Sequence, residues 1–181
     1  MLFASCDEHR AHIESLMQAA AQGNAGAQCE LGVMFEHGAP DVPKDSAKAA
    51  ELFRQAAAQG NPIAQCRFGV ACACGRGVPK DEAKAVECFH KAATQGNNTA
   101  QWYLGEAYEW GKGVPQDYVA AYAWYHLAAK NQHPDAAKDR DFIATRLTPE
   151  QKAEARKFAE ELLGQIESRK HVLRISHSPS R

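Results

Sequence analysis

The 181-residue chain is short of β-branched residues, with eight valines and five isoleucines against 34 alanines. Valine and isoleucine favour sheet and alanine is the best helix former, so a sheet protein is excluded and an all-α one is expected. No charge of one sign dominates: 21 basic residues stand against 22 acidic, a formal net charge of −1. The strongly basic face of a nucleic-acid binder is therefore missing. No window approaches the roughly 18 apolar residues of a membrane span, so no membrane insertion is expected. The first residues lack a cationic region followed by an apolar run, because Asp7, Glu8, His9 and Arg10 arrive at once. The expectation is a cytoplasmic protein, with delivery to a host cell by a signal-independent route left open.

Signatures of chemistry are missing too. The chain has no G-x-x-x-x-G-K-[ST], G-x-S-x-G, H-E-x-x-H or S-x-x-K, so phosphate cradle, nucleophile elbow, zincin and penicillin-binding patterns are all absent. No catalytic residue and no cofactor are assigned. The eight histidines are scattered, and His37, His90 and His126 have no carboxylate or serine partner at a readable spacing; solvated or capping roles are expected for them. Six cysteines are an even number, but a chain this long without a secretion signal has no need of disulfide staples.

What is present is a repeat. Hydrophobic residues at 45% and charged residues at 24% suit a packed chain. Three segments beginning AQCELG at Ala27, AQCRFG at Ala64 and AQWYLG at Ala100 align at offsets of 37 and 36 residues. The extra residue lies in GAPDVPKD, where the other copies read GRGVPKD and GKGVPQD, so it falls in a turn that tolerates insertion. Asp45, Asp81 and Asp117 then keep a strict 36-residue register. A half-copy, LMQAAAQGN from Leu16, matches the second half of each repeat and predicts a leading helix.

Each copy predicts a helix, a turn and a helix. Ala27, Leu31 and Phe35 recur at i, i+4 and i+8, one face of a helix. Glycine and proline pairs end it, Gly75, Gly77 and Pro79 in the second copy and Gly111, Gly113 and Pro115 in the third. The three aspartates follow as N-caps of an alanine-rich second helix that ends at Gly60 or Gly96. Gly32, Gly69 and Gly105 let a neighbouring helix approach closely. Residues 134–168 differ in sequence but predict another hairpin, a helix over 135–147 followed by one restarted at LTPEQ. There Thr148 and Gln151 form a capping box and Pro149 takes the first helical position. The second helix carries Lys152, Glu154, Arg156, Lys157, Glu160 and Glu161, the charged outer face that a terminal cap needs.

The string A-x-x-x-L-G-x-x-[Y/F]-x-x-G-x-G-V-P-x-D-x-x-K-A resembles the Sel1-like repeat (SLR) family, relatives of the tetratricopeptide solenoids. AAYAWYHLAA followed by RDFIATRLTPEQ is similar to the way many bacterial members finish. The chain departs locally, with Phe68 where the family has leucine, Cys72 where it has tyrosine, and Leu52 and Cys88 where Trp124 keeps the usual tryptophan. The expected architecture is an α/α solenoid of helix-turn-helix repeats with an N-terminal helix and a C-terminal capping hairpin. Its parts are a leading helix over 10–23, repeats over about 25–60, 61–97 and 98–133, the cap over 134–168, and a flexible basic tail over 169–181. Every acid lies at or before Glu167, so the tail with Arg169, Lys170, Arg174 and Arg181 is purely basic.

The resemblance implies a non-enzymatic interaction scaffold, an adaptor in bacterial signalling, envelope or host-contact pathways. In such solenoids the first helices line the concave groove. Positions about 200° from the leucine slot give the candidate groove residues Glu36 and His37, Val70 and Cys74, and Trp102, Glu106, Glu109 and Trp110. Tryptophan is enriched at binding hot spots, and the glutamates suit a protein or peptide partner with basic side chains between apolar anchors. Two accounts of Trp102 and Trp110 stand side by side: they grip a partner, or they pack on the terminal hairpin and shield the core. Two other functions remain as alternatives, a small hydrolase or β-lactam-binding protein, and a thiol or metal sensor built on the cysteine-rich second repeat. Against the sensor, Cys72 falls at a core-facing slot, and Cys66 and Cys74 are two turns, about 12 Å, apart, so no metal site is assigned.

Overall fold

Short polar side chains cap the starts of five of the six helices that the repeats contain. In the computed structural model, which describes the backbone of residues 2–176 and the side chains of residues 10–169, the asparagine after each Gly of QGN caps the helix that follows. Asn24 accepts a hydrogen bond from the Ala27 amide ahead of α2 (Ala25–His37), Asn61 from Ile63 and Ala64 ahead of α4 (Pro62–Cys74), and Asn97 from Ala100 ahead of α6 (Asn98–Trp110). Asp45 accepts from Ala47 and Lys48 to start α3 (Ser46–Ala58), and Asp117 from Val119 and Ala120 to start α7 (Tyr118–Lys130). Each such cap satisfies amides that the first helical turn leaves open and contributes about 1 kcal/mol. Asp81 immediately precedes α5 (Glu82–Ala93). The asparagine caps are a second punctuation that the aspartate register alone does not reveal, though each stands beside a glycine with φ near +87 to +89°.

The leading helix, α1 (Leu2–Ala21), begins before residue 10, where the sequence places its start. In the terminal hairpin α8 covers Ala136–Ala144, shorter than 135–147, and α9 covers Pro149–Ser176. The capping box forms as expected: the Gln151 amide donates to Thr148 Oγ1 at 3.3 Å and the Thr148 amide to Gln151 Oε1 at 3.0 Å. The helix runs past 168, so residues 169–176 of the expected flexible tail are helical, and residues 177–181 lie outside the described residues. Arg169 donates to Thr94 Oγ1 at 3.1 Å, an anchor to α5's end that the lack of sequence periodicity conceals.

Among the described residues all regular elements are helices, and the only β pairing is the isolated Ala39–Val42 bridge in the first turn. Packing divides the chain after Asp81 into two compact units, where the sequence reads as one. In the first unit α2 packs on α1 and α3, and α3 on α4; Leu31, Phe35, Phe53 and Phe68 are buried there. In the second, α7 packs on α6, α8 and α9, with Leu104, Trp124, Tyr125, Leu127 and Ile143 at 2% exposure or less. The three-residue-type pattern Ala27, Leu31, Phe35 is the buried face of α2, as its period requires.

Two kinds of glycine let the helices close up. A Cβ at Gly32 would stand 2.7 Å from the Phe53 ring, and one at Gly105 2.5 Å from the Tyr125 ring. Gly77 (φ +72°) and Gly113 (φ +73°) lie against the backbone carbonyls of Ser46 and Glu82, the first residues of α3 and α5. Each turn glycine therefore seats its loop on the second helix of the preceding repeat.

Every repeat also buries one glutamine. Gln28, Gln65 and Gln101 are 6% exposed or less, and their Nε2 atoms donate to the carbonyls of Ala20, Ala57 and Ala93, each eight residues back. The amide thus adds a second donor to a carbonyl at the C-terminal end of the previous helix, which also accepts from the backbone amide of Gly23, Gly60 or Gly96 three residues on. The glutamine after each alanine of the A-Q start carries this signal in the sequence.

Candidate partner-binding surface

The face about 200° from the leucine slots is graded along each first helix. At its beginning Cys29 and Cys66 are buried and Trp102 is half-buried; at its end His37, Cys74 and Trp110 are exposed. In the first unit the neighbouring first helix covers the face: Arg67 of α4 reaches across to Glu36 of α2 at 2.7 Å, and the same arginine lies near Cys29. Glu36 is consequently half-buried, with His37 Nε2 3.6 Å away, and Val70 is half-buried on α4. On this face the most exposed position of each helix is its last or next to last, with intermediate positions such as Glu106 half-exposed.

Trp102 belongs to the terminal hairpin. Its Nε1 donates to Asp139 Oδ2 of α8 at 2.7 Å, its ring stacks on His133 at 5.1 Å between centroids, and it packs against the cluster of Tyr122, Tyr125, Ile143 and Leu147. The groove assignment of Trp102 is thereby corrected, because an indole with its N–H and one face engaged has little left to offer a partner. Trp110 is different: 57% of it is exposed. One expectation of paired tryptophans thus splits into one structural and one free ring.

Glu109 is corrected as well. Only 6% exposed, it accepts a hydrogen bond from the Tyr125 hydroxyl at 2.8 Å, while its own carbonyl takes Gln116 Nε2 at 2.7 Å. A 200° face includes Glu109, but Tyr125 projects from α7 over the end of α6 and closes it off. Burial first, then the Glu109 hydrogen bond, pushes the Tyr125 phenol well above its ordinary range. Glu106 stays half-exposed, and its carboxyl is raised above the usual carboxylate range by burial, with Asp139 and Glu109 adding to the rise and Lys112 opposing it. An acid among acids in a partly dry place is the arrangement that a cation from outside would relieve.

The remaining titratable groups are packed. His90 is edge-on to Trp124 at 5.4 Å and 3.4 Å from the Tyr108 hydroxyl, and burial lowers its pKa. His126 stacks on Tyr122, its pKa lowered by burial and then by Arg140. Both are therefore ring-packing residues, where the sequence suggests solvated or capping ones. Cys72 is buried at the core-facing slot, Cys66 is buried with its thiol pushed up to about 12, and Cys74 is exposed. Thiols held protonated are poor metal ligands and weak nucleophiles. Among the described residues no group of three His, Cys, Asp or Glu is placed to hold a metal ion.

A helix-turn-helix repeat recurring in register, with capped starts, glycine-seated turns and a charged terminal hairpin, defines a helical solenoid protein. The family model of the Sel1 repeat matches residues 25–61, 62–97 and 98–133, more than half of the chain, and the chain belongs to that family. Among solved structures it is similar to a protective antigen present in uropathogenic Escherichia coli strains that displays an SLR fold. The identity is 28% and the TM-score 0.66, over 93% of this chain and 44% of that one. The chain therefore spans less than half the length of that relative. It is also similar to a Sel1 repeat protein from Oxalobacter formigenes, at 34% identity and a TM-score of 0.61, over 65% of this chain and 88% of that one. No curated protein matches the sequence. Sel1-repeat proteins are generally non-catalytic scaffolds for protein–protein interaction. Among the described residues no helix is long and apolar enough to cross a membrane.

Proposed function

We propose that the chain is a non-enzymatic adaptor that holds a segment of a partner protein at the open end of α6. The observation that carries the reading is the exposure of Trp110, 57% free on a helix whose other tryptophan is held by Asp139 and His133. An exposed indole is costly to leave in water and valuable to cover, which is why tryptophan concentrates at hot spots. One turn before it Glu106 carries a carboxylate that its surroundings make reluctant to ionise. A lysine or arginine flanked by apolar residues would cover the ring and compensate the acid together. The proposed work is adaptor binding inside the cell, and the protein is expected to leave nitrocefin and esterase substrates at their buffer rates.

The test is direct titration of a labelled peptide with a lysine between two leucines, followed by fluorescence anisotropy. Loss of a hot-spot tryptophan typically costs about 2 kcal/mol, roughly thirtyfold in affinity, so Trp110→Ala should weaken binding by about that factor with an unchanged melting temperature. Affinity should also decline as pH falls through the raised pKa of Glu106, at a higher pH than an ordinary glutamate would give, because the neutral acid no longer attracts the lysine. If Trp110→Ala unfolds the second unit while folded molecules bind as before, Trp110 is a core residue and the reading fails.

A further inference from the structure

The same slot of the repeat is filled in the third copy and empty in the first. In the third, Tyr118 begins α7, Tyr125 reaches Glu109, and Gln116 donates both to the Glu109 carbonyl and to the Tyr118 hydroxyl, which also takes Arg146 Nη1 at 2.9 Å. In the first copy the register replaces Tyr118 by Ser46, Tyr125 by Phe53 and Gln116 by Lys44. The small serine leaves a cavity of about 310 Å³ inside the first unit, near the lower end of pockets that take ligands. Phe53, Ala49, Ala50 and Ala71 give it an apolar lining; Lys44 and Arg76 give it charge.

The charge is one-sided. Glu36 borders the cavity, but Arg67 holds it at 2.7 Å and His37 stands 3.6 Å away, so its negative charge is compensated within the protein. Lys44 and Arg76 have no acid within ion-pair distance among the described residues. Arg76 is brought there by the seating of Gly77 on the Ser46 carbonyl, which carries the loop after α4 to the start of α3. Two cations with no acid partner among the described residues, lining a cavity together with Phe53 and three alanines, match one ligand chemistry, a carboxylate beside an apolar group.

We propose that this cavity is a docking pocket for an acidic side chain next to an apolar one in an extended segment of a partner protein, with Lys44 and Arg76 holding the carboxylate and Phe53 bordering the apolar neighbour. The inference rests on the reading of the chain as a partner-binding scaffold, but not on the Trp110 surface, which lies in the other unit.

The experiment is amide chemical-shift titration of the full chain with acetyl-Leu-Glu-Leu-amide up to about 10 mM, a range that detects millimolar affinity. Shifts should be confined to residues around His37, Lys44, Ser46 and Arg76 and should saturate. The Leu-Gln-Leu peptide should bind at least about tenfold more weakly, as should the Lys44→Gln/Arg76→Gln double variant with the acidic peptide. Ser46→Tyr, which restores the residue type of the third repeat, should remove the shifts while the melting curve shows the protein folded. Equal binding of the two peptides, shifts elsewhere, no shifts at all, or binding to folded Ser46→Tyr would each overturn the proposal. Free glutarate binding as tightly as the peptide would make this a small-molecule site and overturn it too. Trp110→Ala should leave the acidic peptide's affinity unchanged. Failure of the lysine peptide alone therefore counts against the Trp110 reading, and failure of the acidic peptide alone against this one.

Discussion

The two units fill identical repeat positions with side chains of different reach. Where the first has Phe53, Ser46 and Glu36, the second has Tyr125, Tyr118 and Glu109. In the second unit the tyrosine hydroxyl on Glu109 converts a surface acid into a buried, hydrogen-bonded one and closes the slot. In the first, a phenylalanine with no hydroxyl leaves the acid to an arginine, and a cavity remains beside it. One backbone plan thus yields a slot closed by a tyrosine in one unit and an open, charge-lined one in the other. The difference teaches that in a repeat protein the hairpins are specified by the recurring residues, whereas surface chemistry is specified by the ones that vary.

The largest separation between the units is expected at the helix-contact glycines. Alanine at Gly105 would put its Cβ 2.5 Å from a Tyr125 ring that Glu109 holds in place, whereas alanine at Gly32 meets, at 2.7 Å, a buried Phe53 ring that no hydrogen bond anchors and that lines the cavity. Overpacking costs about 1–3 kcal/mol, against about 1 kcal/mol recovered from higher helix propensity. Gly105→Ala should therefore lose about 2 kcal/mol, and Gly32→Ala should stay within about 1 kcal/mol of the parent. Chemical denaturation followed by circular dichroism measures both, and equal losses would show that Phe53 is as constrained as Tyr125.

A smaller contrast is expected at the acids. Glu109→Ala strands a buried Tyr125 hydroxyl and should cost about 1–3 kcal/mol, with Glu109→Gln recovering much of it because the amide oxygen still accepts. Glu36→Ala removes a pair whose arginine is over a third exposed, and such pairs contribute about 0–1 kcal/mol. Added salt should narrow the Glu36 effect and leave that of Glu109 unchanged. A Glu36→Ala loss as large as the Glu109→Ala loss would abolish the contrast.

The smallest effect is a pH dependence confined to the second unit. Burial depresses the pKa of His90, so the unfolded chain takes up the proton first, near pH 6.5. Its contribution is fully present above that pH and is lost as pH falls toward the lower folded value. The first unit carries Arg54 at the same position, paired with Glu51, whose carboxyl that hydrogen bond holds down to about 2; neither changes charge between pH 7 and 5. Trp102, Trp110 and Trp124 all belong to the second unit, so tryptophan fluorescence reports it alone. Its melting midpoint should fall by a few degrees between pH 7 and 5, and the fall should shrink in His90→Gln. A fall just as large in His90→Gln would assign the pH dependence to other groups.

The sequence by itself determined the helices, their order and the repeat. Alanine content, the 36-residue register, the aspartate caps and the Thr148–Gln151 box are local signals, and local hydrogen bonds and backbone preferences are enough to enforce them. It left Trp110 between a groove and a core role, and only the packed structure leaves 57% of that ring exposed. The burial of Glu109, the capture of Trp102 by Asp139 and His133, and the extension of α9 with Arg169 on Thr94 were decided only by the tertiary structure. In each case the deciding partner comes from another part of the chain, at a separation of 16, 37 or 75 residues. A helical period tells which residues share a face but is silent on which side chain of another helix lies over it. The open cavity at Ser46 belongs to the same class, because a serine becomes a vacancy only when the surrounding helices fix the space that a tyrosine fills elsewhere in the chain.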